Sequence, residues 1–360
     1  MPTKDGRDPI QWAAEGGRDL YDVADWEPRT ALDGLATSVY RSILVGGRAF
    51  IIFLASLIVI SQFAITGIAM FEDPFLGVYI VLSIVPALLL ALILWRSDVV
   101  MREPLDKLAI TFLLGFVFAG FAATLNSAFQ PLFLGLGGGG AVLFFFLIVG
   151  PVEEVVKLLA VRMHAYRSDD FDAVIDGAVY GAMAGLGFAA IENTIYITRQ
   201  YLQTAGTDSA MVAVPLLGIV GGGSGPLASA TIQVAALRSF AGPGHVIYSA
   251  FAGYYLGLAK FNPENRGPIV VKGLLIAVFL HATYNVLVSN LGLVVAFVPF
   301  LASFPPVFAF FGFVIGYDGF FFLGLYAKLR RYKRVFTEVG AEAYYESEKA
   351  VPIDESSAED

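Results

Sequence analysis

The sequence predicts an all-α protein: a polytopic membrane helix bundle of about eight transmembrane helices plus a Gly-rich broken or re-entrant segment. Three observations carry that reading. Of 360 residues, 57% are hydrophobic and only 15% charged, against about 45–50% and 25% in soluble domains, and the mean hydropathy is +0.71. Apolar runs near 20 residues recur, the length that crosses a hydrocarbon core of about 30 Å at 1.5 Å per residue. The basic residues gather in alternate connections, as cytoplasmic loops do.

Taken in order, residues 1–48 form a polar segment whose mixed charges (Lys4, Asp5, Arg7, Asp8, Glu15) do not read as a secretory signal peptide. Residues 49–140 hold accessory spans at Ala49–Met70, Pro74–Trp95 and Leu108–Phe129. Residues 141–290 hold the chemistry-bearing core, with spans at Ala141–Arg162, Asp176–Ile197, His245–Phe261 and Ile269–Ser289. Gly242-Pro243-Gly244 is expected to set the start of the His245 helix. Between them, residues 210–237 are broken by Pro215, the run Gly221-Gly222-Gly223-Ser224-Gly225 and Pro226, which argues for irregular backbone packed inside protein rather than facing lipid. Residues 291–334 add the span Pro306–Tyr326, and residues 335–360 read as an acidic cytoplasmic tail.

Charge distribution orients the bundle. With eight spans and the amino terminus inside, the inner connections carry Arg41 and Arg48; Arg96, Arg102 and Lys107; Arg162 and Arg167; Lys260, Arg266 and Lys272; and Lys328, Arg330, Arg331, Lys333 and Arg334. The outer side keeps Arg199 and Arg238. A multi-pass protein of the cell membrane with both termini cytoplasmic follows. The net charge of −8 and the lack of a basic stripe exclude a nucleic-acid partner. With no cysteine and three histidines (His164, His245, His281), a metal would have to use His, Asp or Glu.

Ionisable groups at membrane depth cost roughly 2.5–3.5 kcal/mol each on insertion scales, so each needs a reason. The densest cluster is Glu153, Glu154 and Lys157. Glu153 and Lys157 are four apart, and their plain reading is a self-neutralising ion pair. Glu154 points about 100° away, so one lysine does not satisfy both acids and one carboxylate is expected to face a polar cavity. Gly177, Gly181 and Gly185 make a small-residue face for close helix packing, and Glu192 with Asn193 lies further along that helix. His245 on its own reads as interfacial. His281 and Asn285 share a face in mid-span, where the plain reading is a hydrogen-bonded pair joining two helices. Carboxylates and imidazoles converging from separate helices suit water activation, with or without a zinc ion, and an amide such as Asn285 suits an oxyanion.

These residues resemble a known family. Glu153-Glu154-x-x-Lys157, Phe188-x-x-x-Glu192-Asn193, Gly244-His245 and His281-x-x-x-Asn285 look like the ordered motifs of the PrsW family of intramembrane proteases, which is distantly similar to the CAAX-processing and bacteriocin-processing endopeptidases. The resemblance covers roughly residues 150–285. It implies a membrane-embedded peptidase cutting membrane-protein substrates, in bacterial members including anti-sigma factors. It implies Glu153 or Glu154 as general base, Lys157 tuning the pair, His245, His281 and Glu192 as zinc-binding or water-positioning groups, and Asn285 as oxyanion support. Metallo and glutamic chemistry both stay open. Glu192 stands where the CAAX-processing relatives place a histidine, which argues against a prenyl-protein substrate. Two rivals are a proton-coupled or cation transporter relaying through Glu153, Glu154, Glu192 and Asp318, and a scaffold that binds membrane proteins without cutting them.

Overall fold

The structure is a computed structural model that describes residues 28–97, 103–204 and 227–338. Among these residues every regular element is helical. In chain order they are α1 (Ala31–Glu72), α2 (Phe75–Arg96), α3 (Leu105–Phe129), the short α4 (Pro131–Leu134) and α5 (Gly137–Phe144), a π-helical turn (Phe145–Val149), α6 (Gly150–Met163), α7 (Val174–Thr204), α8 (Leu227–Lys260), α9 (Arg266–Ser289), α10 (Leu291–Phe297) and α11 (Pro306–Glu338). The chain divides into two units, residues 1–54 and 55–360, and the site belongs to the second.

Among the described residues, six helices are long and apolar enough to cross a bilayer: Ala49–Glu72, Phe75–Arg96, Leu105–Phe129, Val174–Thr204, Pro263–Ser289 and Pro306–Glu338. They match six of the eight spans expected from sequence. The other two are built differently. The expected span Ala141–Arg162 is helical throughout but passes through a π-helical turn, because Pro151 has no N–H to return to the preceding turn and Gly150 donates instead to the carbonyl of Phe145, widening the helix there. The expected start at His245 is overturned: α8 begins at Leu227 and runs through Pro243, so His245 sits in mid-helix, where it is buried. Of the Gly/Pro-broken segment 210–237, residues 227–237 belong to α8 and the rest lies outside the described residues, as do residues 1–27 and the acidic tail from 339 onward.

Side-chain oxygens fix several helix starts. Phe75 N–H donates to Asp73 Oδ1 at 3.0 Å before α2, and Asp176 in the first turn of α7 accepts from Ala173 N–H at 2.6 Å. Helix α7 is the axle of the bundle: 89% of its apolar window is buried, against 17–39% in the other five spans. The others turn large apolar side chains outward, such as Leu82, Leu113, Leu275 and Phe320, the expected arrangement when the surroundings are lipid.

Helices α7 and α8 make the most extensive contact in the molecule, and glycine is why. A Cβ added at Gly177, Gly181 or Gly185 would collide with the backbone carbonyls of Gly253, Ser249 and His245 respectively. The small-residue face is therefore a seam where two backbones touch, and it fixes an antiparallel register. Two turns beyond Gly185, that register sets Glu192 opposite Arg238. On its other side α7 receives α3, where Gly115 abuts Ala184 and Gly187 abuts Phe112. At the far end Lys260 Nζ donates to the carbonyls of Phe171 (2.7 Å) and Ser168 (3.3 Å), tying the α6–α7 connection to the end of α8.

Candidate active site

Four helices deliver ionisable groups to one buried cluster: Glu153, Glu154 and Lys157 from α6, Glu192 from α7, Arg238 and His245 from α8, and His281 from α9. All are buried except Glu192, which is half-buried. Lys157 is the hub. Its ammonium donates to Glu154 Oε1 at 2.7 Å and to His245 Nδ1 at 2.9 Å, stands 3.9 Å from Glu153 Oε2, and lies 4.3 Å above the Phe188 ring. The tight pair is thus Glu154 with Lys157 rather than Glu153 with Lys157.

Donor logic assigns the imidazoles. An ammonium only donates, so His245 Nδ1 accepts, its proton is on Nε2, and Nε2 donates to Glu192 Oε2 at 2.7 Å. His281 Nδ1 is 2.8 Å from Glu154 Oε1 and donates to it, because that carboxylate has no proton to offer while Lys157 bonds the same oxygen. Ser249 Oγ adds a 3.5 Å contact to Glu154 Oε2. That leaves the lone pair on His281 Nε2, 3.6 Å from Glu153 Oε2. Glu153 is held through its other oxygen by Asn126 Nδ2 at 2.9 Å, and Oε2 is buried without a hydrogen-bond partner. A buried acceptor without a donor costs about 1–3 kcal/mol, so this oxygen marks a place for water, substrate or metal.

That place opens on a cavity of about 510 Å³ whose wall includes Asn126, Glu153, Glu192, His245, His281 and Asn285, while Glu154 lies behind it. Asn285 is one turn past His281 on the wall and outside the hydrogen-bonded cluster. Glu153, His245 and His281 each offer a ligand atom, all within 4.8 Å of one another. Two imidazoles and a carboxylate are the donors that zinc takes, and the unpartnered Glu153 oxygen fits such an ion. His245 would first have to exchange its bond to Lys157 or to Glu192. Glu192 stands outside this group of three, and its Oε2 takes Arg238 at 2.6 Å as well as His245 at 2.7 Å.

Sequence reasoning missed Asn126 and Arg238. Arg238 lies seven residues before His245 and hence on the same helical face, a signal that disappeared once the helix was taken to start at Gly-Pro-Gly. Its Nε also donates to Asn193 Oδ1 at 3.0 Å, and Asn193 in turn donates to Ser83 of α2, so Asn193 is a structural clamp. Asp318 is not isolated: it accepts from Tyr248 at 2.6 Å.

The fold and the site together define a multi-pass helical membrane protein with a carboxylate and imidazole centre inside its bundle. A family model described as PrsW family intramembrane metalloprotease matches residues 103–313, and the chain belongs to that family. It is 30% identical over 134 residues to the Protease PrsW of Geobacillus kaustophilus, covering 37% of this chain and 47% of that protein. It is 25% identical over 209 residues to the Protease PrsW of Clostridioides difficile (57% and 76% covered) and 25% over 210 residues to that of Bacillus subtilis (58% and 82%). The matched stretch spans about half the length of the Geobacillus and Halalkalibacterium proteins, 47% and 51%. No solved structure matches the chain.

Proposed function

We propose that the protein is an intramembrane endopeptidase that hydrolyses peptide bonds of membrane-protein substrates at the Glu153 and His281 centre, in the cell membrane with both termini cytoplasmic. The observation that carries this reading is the unpartnered, buried Glu153 Oε2 facing His281 Nε2 across 3.6 Å on the cavity wall. Two acceptors at that spacing, too long for a bond to each other, suit one water between them.

Glu153 takes a proton from that water as its oxygen bonds to the substrate carbonyl carbon, and returns the proton to the amide nitrogen as the C–N bond breaks. Asn126 keeps the other Glu153 oxygen in place. Glu154 and Lys157 act behind the wall: Glu154 fixes the His281 tautomer, and Lys157 fixes Glu154 and His245. Asn285 donates to the carbonyl oxygen as it gains charge. A zinc ion would be held by Glu153, His245 and His281, where it would polarise the carbonyl and acidify its bound water, and in that form Glu153 would serve as a ligand in place of its role as base. The family description supports the proteolytic reading, and neither rival gains from it.

The test is cleavage of reconstituted membrane-protein substrates by wild type, Glu153→Gln and Glu154→Gln, beside metal analysis of wild type and His281→Ala. Glu153→Gln is expected to lose about 10³-fold or more in kcat with its thermal transition unchanged. Full activity in folded Glu153→Gln removes Glu153 as base. Stoichiometric zinc in wild type and its loss in His281→Ala would establish the metal-bound form.

A further inference from the structure

Helix α11 brings two adjacent residues to the back of the site, and neither has a place in the mechanism above. Asp318 is a buried acid on a helix that otherwise turns apolar side chains outward, a costly position unless something is gained. Its Oδ1 accepts from Tyr248 OH at 2.6 Å. Tyr248 is 1% exposed, and its ring lies 5.8 Å from the His281 ring, centroid to centroid, at 32°. On another side His281 meets the His245 ring edge-on, at 5.1 Å and 84°. The residue before Asp318, Tyr317, donates its hydroxyl to the carbonyl of Leu280 at 2.8 Å, and Leu280 immediately precedes His281.

We propose that Tyr317 and Asp318 form a brace for His281, Tyr317 holding the α9 backbone beside it and Asp318 locking the Tyr248 ring that sets the plane of its imidazole. The hydrogen bond at Nδ1 fixes one point of the ring but not its tilt. The tilt decides whether the Nε2 lone pair points at Glu153 Oε2, and a flanking aromatic ring held at its far end removes that freedom. A hydroxyl in an apolar bundle stays in one orientation only while it has an acceptor, which is what Asp318 supplies. Both brace residues lie beyond residues 103–313, the stretch matched by the family.

The inference concerns the site of the proposed peptidase, and one arm of its test works without any cleavage. With three histidines in the chain, histidine-selective ¹⁵N and ¹³C labelling of the full protein in micelles gives three ring systems, and His164 near the end of α6 serves as internal control. Asp318→Leu and Tyr248→Phe are expected to shift or broaden the His281 ring resonances and leave those of His164 in place. Asp318→Asn, which keeps an acceptor oxygen, is expected to retain the wild-type spectrum. On a cleaved substrate the first two variants should lower kcat about tenfold with KM within about twofold, and Asp318→Asn should recover kcat. Unchanged His281 resonances in folded Tyr248→Phe overturn the brace, and that variant, which removes a single oxygen, decides if Asp318→Leu does not fold. Shifted His281 resonances in a protein that cuts nothing would leave the brace standing and remove the peptidase reading.

Discussion

Lys157 is the residue on which the buried charges depend. Its ammonium neutralises Glu154, a fully buried carboxylate, and holds the His245 imidazole, so its removal strands both. Breaking a buried pair from one side costs about 3–5 kcal/mol, because the remaining charge keeps its desolvation penalty, whereas removing both partners costs far less. Lys157→Met is therefore expected to lower the thermal midpoint in detergent sharply, and Lys157→Met/Glu154→Gln to recover most of the loss. A single variant within about 1 kcal/mol of wild type would mean that Glu154 is satisfied by His281 and Ser249 alone. The sequence shows three ionisable groups within two turns. It does not show that the tight pair is Glu154 with Lys157, because that choice depends on His281 and His245 arriving from other helices to take their shares.

Among the elements, the α7–α8 seam sets the geometry of the site. Gly181 meets the Ser249 carbonyl so closely that no Cβ fits, and its neighbour along the seam, Gly185, meets the carbonyl of His245 itself. A side chain here forces the helices apart and carries His245 away from Lys157 and Glu192. Gly181→Leu is expected to lose several kcal/mol of stability, as overpacking of about 1–3 kcal/mol adds to broken pairs, and to abolish cleavage. Gly267→Ala, a substitution into open space in the first turn of α9, should leave the thermal midpoint within a few degrees. Equal midpoints for the two variants would show that the seam is not tightly packed. The four-residue spacing of Gly177, Gly181 and Gly185 made this contact legible. The course of α8 was not, because Gly-Pro-Gly in an isolated chain favours a break, and the packing of α2, α7, α9 and α11 around it holds that stretch helical.

For the whole molecule, topology is the open property with a direct measurement. The proposed orientation puts the α6–α7 and α8–α9 connections on the cytoplasmic side, and Lys260 bridges from the end of α8 to the first of them, so the two lie at one end of the bundle. The chain has no cysteine, so each introduced one is a unique reporter. Ser168→Cys and Glu264→Cys should react with an impermeant maleimide only after the cytoplasmic face is opened, and Gln203→Cys and Asn290→Cys should react in intact cells. The reverse pattern would invert the proposed orientation.

Composition and apolar period determined by themselves that this chain is a helical membrane bundle, since a 20-residue apolar run in a bilayer has no other way to satisfy its backbone. They also picked out Glu153, Glu154, Lys157, Glu192 and His281, because charge at membrane depth is costly enough to stand out in one dimension, with Asn285 on the His281 face, whereas His245 joined them only through the resemblance to the family's motifs. Only the tertiary structure decided which of those groups face the cavity, which face one another, and that Asn126, Arg238, Tyr248 and Asp318 join them. The reason is range. Burial cost belongs to each residue and is written along the chain, whereas a hydrogen bond of 2.7–2.9 Å between helices depends on the rotation and depth of both. Here those are fixed by glycine contacts and by a π-helical turn at Phe145–Val149, which act between elements rather than within the motifs themselves.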